Sequence, residues 1–232
     1  MDFLVQLINT IDEKSITSYI YVFAFSLLIF RIPLISRLLR VFYTLFHETG
    51  HSLAAFFTNS KTLHIKLHYN LSGLILTKSS NKFKQFIITI AGYPFAAFCA
   101  CILFWLLHNN YEIITLFSIT GLVFIQLLLN LRNSFGIIWS LFVLTMLISL
   151  YFYLNQYIFH VLILLASVIT LESVVSSSVI FYYSIINPQK AGDAFNLSKI
   201  TGIHSIFWGL LFIGVSLWFL YLTSELIFLG RI

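Results

Sequence analysis

The chain has 232 residues, of which 59% are hydrophobic and 18% aromatic, while only 9% carry a charge. Soluble domains average about 25% charged residues, so a single aqueous core cannot hide this much apolar surface. The net charge of +5 does not call for a nucleic-acid partner, because in a membrane protein the placement of Lys and Arg reports topology.

At the N-terminus, Asp2, Asp12 and Glu13 replace the basic start of a signal peptide and no small-residue cleavage site follows. The first apolar segment is therefore expected to be retained. Apolar runs occupy roughly 17–36, 38–57, 85–107, 113–131, 134–154, 158–186 and 206–229. Each approaches or exceeds the ~20 residues that cross about 30 Å of hydrocarbon as a helix. The pattern predicts an all-α polytopic membrane protein of six to seven transmembrane helices embedded in a lipid bilayer. Short loops make residues 1–232 one membrane domain. Arg31, Arg37 and Arg40 crowd between the first two runs.

The segment 62–77 differs from its surroundings. Leu63, Ile65, Leu67 and Tyr69 alternate with His64, Lys66, His68 and Asn70, which is strand periodicity, and Ser72-Gly73 offers a turn. A half-buried β-hairpin is expected. His64 and His68 would share a strand face about 13 Å apart, too far for one metal. Cys99 and Cys101 point to opposite faces of a helix and are read as packing residues. The small residues of 173–178 are read as a surface for close helix packing.

Basic residues suggest an orientation. Lys61, Lys66, Lys78, Lys82 and Lys84 belong to the one sizeable polar loop. If that loop is cytoplasmic, Lys14, Arg132, Lys190 and Lys199 join it, leaving Arg31, Arg37, Arg40 and Arg231 outside.

The chemistry is carried by His47-Glu48-Thr49-Gly50-His51. On a helix, residues four apart lie about 40° apart around the axis and ~6 Å along it, so both imidazoles can turn to one tetrahedral Zn²⁺. Glu48 projects beside them, as a general base for metal-activated water requires. A glutamate in a bilayer-embedded helix costs about 2–3 kcal/mol unless compensated. A polar packing cluster without metal is the other reading of this turn.

Zinc needs a further protein ligand. Of the acidic residues, Asp2, Asp12 and Glu13 are N-terminal, Glu112 falls in an outer loop, and Glu225 lies near the outer end of the last run. Asp193 and Glu172 remain. Asp193 lies at the face toward which the His47 helix descends, in a 187–205 loop that can fold back to the metal. Glu172, in mid-membrane, is the fallback. Asp193 could instead be the N-cap of a short helix.

The segment HETGHSLAAFF resembles the zinc helix of the site-2 protease family of intramembrane metallopeptidases, in its compact members without added soluble domains. Ala91-Gly92-Tyr93 is similar to that family's small-residue motif, where glycine admits close approach to the zinc helix. Asn130-Leu131-Arg132-Asn133-Ser134-Phe135-Gly136 resembles its asparagine-containing core segment. Gly192-Asp193-Ala194, with Leu197, Thr201-Gly202-Ile203 and Trp208, resembles a late aspartate motif. The better-known members carry the third ligand in a Leu-Asp-Gly motif, whereas 130–145 holds no acidic residue here. The third ligand is thus either Asp193 from a different chain position or an asparagine near a weaker site. A non-proteolytic member is the third possibility.

The resemblance implies a zinc-dependent intramembrane peptidase. Its metal would be one Zn²⁺ per chain on His47, His51 and Asp193, with Glu48 as general base. Asn130 or Asn133 would donate to the oxyanion or hold an unwound substrate strand. The implied partner is a transmembrane or membrane-proximal protein. The Phe-, Ile-, Asn- and Lys-rich composition suggests a bacterial plasma membrane, with the site towards the cytoplasm. An inactive relative that binds transmembrane helices, and a transport or metal-handling protein, are the competing classes.

Overall fold

The computed structural model describes residues 16–69, 73–78 and 81–229. Helices α1 (Ile16–Ile29) and α2 (Pro33–Phe57) meet at a 115° bend. Pro33 accounts for the break. Proline suits the first turn of a helix but drives the preceding residue into extended backbone, and Ile32 has φ −94° and ψ 103°.

An antiparallel pair follows, β1 (Lys61–Leu67) and β2 (Gly73–Lys78). Then come α3 (Lys82–His108), α4 (Glu112–Leu129), α5 (Ser134–Tyr153), α6 (Ile158–Ile186), the short α7 (Gly192–Thr201) and α8 (Ser205–Leu229). Among the described residues, five helical stretches are long and apolar enough to cross a membrane: Lys82–His108, Glu112–Leu129, Ser134–Tyr153, Asn155–Ile186 and Ser205–Phe228. The α1–α2 pair makes six if it counts as one broken span. The seven apolar runs are largely helical, but a break at 30–32 makes the first two one bent pair, so the described residues offer at most six spans.

Helix α6 is the central post. Of its most apolar stretch 67% lies inside the protein, against 28–44% for the other four spans. Its Leu162, Ile163, Ala166 and Ile169 share a core with Phe42 and Leu45 of α2 and Ala96, Ala100 and Phe104 of α3. Lipid tails are as apolar as these side chains, so close packing rather than escape from water holds the helices together. The 173–178 run packs as expected of small residues: Ser173 Oγ hydrogen-bonds Ser216 Oγ of α8 at 3.1 Å. Cys99 and Cys101 are free thiols.

The hairpin forms at the predicted place, with Ile65 paired to Ile75 and Leu67 to Gly73. Ile65 and Leu67 are fully buried, while His64 and Lys66 are half-buried. The Asn70–Ser72 part of the expected turn lies outside the described residues. The outer edge of β1 is closed by the chain between α4 and α5. Ile65 N–H donates to Asn130 O (2.8 Å), Arg132 N–H donates to Ile65 O (3.1 Å), and Leu131 lies in a parallel bridge with Ile65. One step along, the Asn133 amide takes the place of a strand residue. It accepts from Leu67 N–H (3.1 Å) and donates to Leu67 O (2.6 Å).

The expected 187–205 loop contains a helix instead. A 3-10 turn (Pro188–Lys190) leads into α7, whose buried Ala191, Ala194 and Leu197 pack with Tyr93, Trp208 and Phe212. That apolar face drives a polar-looking stretch into helix.

Among the described residues, an arginine–carboxylate pair joins two helices. Arg40 of α2 grips Glu172 of α6 with Nε on Oε2 and Nη2 on Oε1, the latter at 2.9 Å, and the Glu172 side chain is 6% exposed. Removing one partner strands the other charge, so Arg40→Leu is expected to cost about 3–5 kcal/mol in unfolding measured in detergent. The double replacement Arg40→Leu with Glu172→Leu should recover most of that loss.

Candidate metal site

Helix α2 presents His47 and His51 one turn apart, and the first turn of α7 brings Asp193 to them. Their Nε2 atoms are 3.1 Å apart, and Asp193 Oδ2 lies 3.3 Å from the first and 3.2 Å from the second. Among the described residues this is the one cluster of three His, Cys, Asp or Glu side chains able to hold a metal ion. The site is sheltered: the side chains of His47, His51 and Asp193 are 13%, 3% and 19% exposed.

Asp193 is not a helix cap. The N-cap position of α7 is Ala191, with no side-chain cap, and Asp193 turns inward instead. Burial alone would push its carboxyl up, but His51 and His47, through charge and hydrogen bonding, outweigh this and hold it below the usual carboxylate range. Glu172 stands apart, with both carboxylate oxygens on Arg40.

The donor set suits a metal. His51 Nδ1 lies 2.7 Å from the carbonyl of Ile88, and a carbonyl can only accept, so the ring proton sits on Nδ1 and Nε2 keeps its lone pair. With the histidines neutral, as metal binding requires, the two Nε2 atoms and the Asp193 carboxylate oxygen face one point. In tetrahedral coordination at Zn–ligand distances of about 2.0–2.1 Å, neighbouring ligand atoms stand roughly 3.3 Å apart. The observed edges of 3.1–3.3 Å match one face of such a tetrahedron. His47 Nδ1 and Glu48 Oε2 are buried without hydrogen-bond partners.

Two glycines shape the walls. A Cβ on Gly92 of α3 would stand 2.5 Å from His51 Nε2 and 2.6 Å from His47 Cε1, so only glycine lets α3 pass this close. A Cβ on Gly73, the first residue of β2, would overlap the Glu48 carboxylate and approach Thr44 Cγ2 to 2.8 Å. The hairpin therefore roofs the Glu48 side of the site. Tyr93 closes another side, its ring 4.5 Å from that of His47 and stacked on Phe212 of α8, also at 4.5 Å.

The sequence brought forward His47, Glu48, His51 and Asp193, and the structure places all four together. The two asparagines are held beside them by other partners. Asn130 Nδ2 donates to Gln126 Oε1 (2.8 Å) and Ser52 Oγ (3.4 Å), and Asn133 is engaged with Leu67. Three neighbours escaped the sequence reading: the Ile88 carbonyl, Gly73 and Tyr43. Only Tyr43 had a local signal, one turn before His47 on the same face.

A bundle of apolar helices enclosing a His–His–Asp cluster defines an integral membrane protein with a metal-type site. The sequence model of the Peptidase M50B-like family matches residues 19–223, and the chain belongs to that family. No curated protein and no solved structure matches the chain.

Gly92→Ala is expected to weaken metal binding about 10-fold or more, as disturbing a ligand's support does. Competition against a chelator measures it. Gly121→Ala is the control, since a Cβ there meets nothing within 4 Å.

Proposed function

We propose that this chain is a zinc-dependent intramembrane endopeptidase that hydrolyses peptide bonds of membrane-embedded or membrane-proximal protein substrates. Residues 1–232 act as one membrane peptidase domain. The observation that carries this reading is the 3.1–3.3 Å triangle of His47 Nε2, His51 Nε2 and Asp193 Oδ2 beside a buried, unpaired Glu48 Oε2. Those three atoms would hold one Zn²⁺. Bound there, zinc supplies Lewis acidity that polarises the scissile carbonyl and acidifies the attacking water.

Glu48 does the proton work. Its free carboxylate oxygen takes a proton from the attacking water and returns it to the departing amide nitrogen. The Ile88 carbonyl keeps the His51 proton on Nδ1, so Nε2 remains a ligand atom. Peptide bonds inside a helix are already hydrogen-bonded and shielded, so a substrate must unwind before cleavage. An extended strand can then add to the hairpin by β-augmentation. Pairing with β2 on one side and with residues 130–133 on the other occupies both edges of β1, which leaves the outer side of β2 as the receiving edge. Because β2 begins at Gly73 over Glu48, addition there delivers the substrate backbone beside the base. Asn130 and Asn133 hold β1 in register and so position this roof.

The basic loop 58–84 together with Arg132, Lys190 and Lys199 favours a cytoplasmic site in a bacterial plasma membrane. Arg40 is spent on Glu172 and leaves the opposing count.

The test uses the purified protein in detergent, with zinc measured by elemental analysis and cleavage measured on dye-labelled casein, an unfolded chain. One zinc per chain is expected in the wild type, with most of it lost in His47→Ala and Asp193→Ala. Glu48→Gln should keep the metal and lose cleavage by at least about 100-fold, the scale of general-base catalysis. Zinc absent from metal-replete wild type would sink the reading. A zinc-loaded wild type without cleavage would point to a non-catalytic relative.

A further inference from the structure

Helix α2 brings one more functional group to the site. Tyr43, 4% exposed, stands one turn before His47 with its ring centroid 6.0 Å from the imidazole, and the His47 and His51 rings are 4.6 Å apart. The three rings form a row along one helix face. At about 100° per residue, Tyr43 lies about 40° to one side of His47 and Glu48 about 100° to the other. The base and the tyrosine therefore flank the same ligand.

The Tyr43 hydroxyl is buried with no partner at full hydrogen-bond geometry, and the Ser176 hydroxyl of α6 approaches it as a weak partner. Ser176 also lies beside the Tyr93 hydroxyl, and both phenols are within electrostatic reach of Asp193. A buried O–H without a full acceptor weakens the fold, and phenylalanine would fill the same space without that penalty. The amides that the sequence offered as donors to a reacting carbonyl are engaged elsewhere, Asn133 on the Leu67 backbone and Asn130 on Gln126 and Ser52. A donor beside the metal would share the charge that builds on that oxygen.

We propose that the Tyr43 hydroxyl is that donor, resting on the peptidase reading above. As the water oxygen bonds to the scissile carbon, the carbonyl π pair moves onto oxygen, and Tyr43 O–H hydrogen-bonds the new charge while keeping its proton. Glu48 holds the proton taken from water and delivers it to nitrogen as the C–N bond breaks. The carbonyl then re-forms and the Tyr43 hydroxyl is again without a full acceptor. Tyr93, fixed between His47 and Phe212, is a wall of the pocket.

Tyr43→Phe tests this through three readouts. The unfolding temperature of the metal-free protein should hold or rise, because a weakly paired oxygen is removed. Zinc affinity should not change. On casein, kcat should fall about 100-fold with KM unchanged, the size seen when one oxyanion donor is lost. A lower unfolding temperature would make the hydroxyl structural, and weaker zinc binding would make it a support for His47. Unchanged kcat would remove it as a donor, and each of these results overturns the proposal. Tyr93→Phe is measured alongside; a loss confined to that variant overturns the choice of Tyr43. A zinc-loaded wild type that leaves casein intact defeats the peptidase reading itself, whereas equal cleavage by wild type and Tyr43→Phe defeats only this inference.

Discussion

Two imidazole nitrogens and a carboxylate oxygen held 3.1–3.3 Å apart in a sheltered site need a positive charge among them, a proton or a metal ion. Much of the surrounding structure serves to hold them there. Gly92 lets α3 run against both imidazoles, and the Ile88 carbonyl on the same helix orients His51. The apolar face of α7 locks Ala191, Ala194 and Leu197 under Tyr93, Trp208 and Phe212, which fixes the first turn carrying Asp193. Rigid packing on three helices, rather than loop geometry, sets the positions of the ligand atoms.

The same economy of contacts governs the roof. A two-stranded hairpin is marginal by itself, and here it is bracketed by the chain between α4 and α5. Asn133 acts as a strand residue towards Leu67, and Arg132 and Asn130 bond Ile65 through their backbones. Arg37 adds a cation–π contact over Tyr69, 5.0 Å from the ring centroid. The asparagine segment thus reaches the site through β1. Its two amides serve as braces, Asn133 on Leu67 and Asn130 on Gln126 and Ser52.

What could be read in the sequence follows a physical division. His47, Glu48 and His51 are local: helical spacing alone puts them on neighbouring faces. The hairpin was legible from two-residue alternation, and Asp193 from the scarcity of acidic residues. The bend at Pro33 was the least visible feature of the spans, because both flanking runs are apolar enough to read as separate crossings. Arg40 shows the limit most clearly. Its partner Glu172 is 132 residues away, so the arginine looked like a topology marker when it is an interhelical clamp. Gly73 over Glu48 is likewise a product of packing between segments apart in the chain, for which no local pattern exists.

The account stands on the identity of the metal and its ligands, and X-ray absorption at the zinc edge of the purified, zinc-loaded protein reads both. Two imidazole nitrogens and low-Z oxygen ligands at about 2.0–2.1 Å are predicted. One imidazole should vanish from the spectrum in His51→Ala. Six oxygens at longer distance, a sulfur shell, or a spectrum indifferent to His51→Ala would contradict the site.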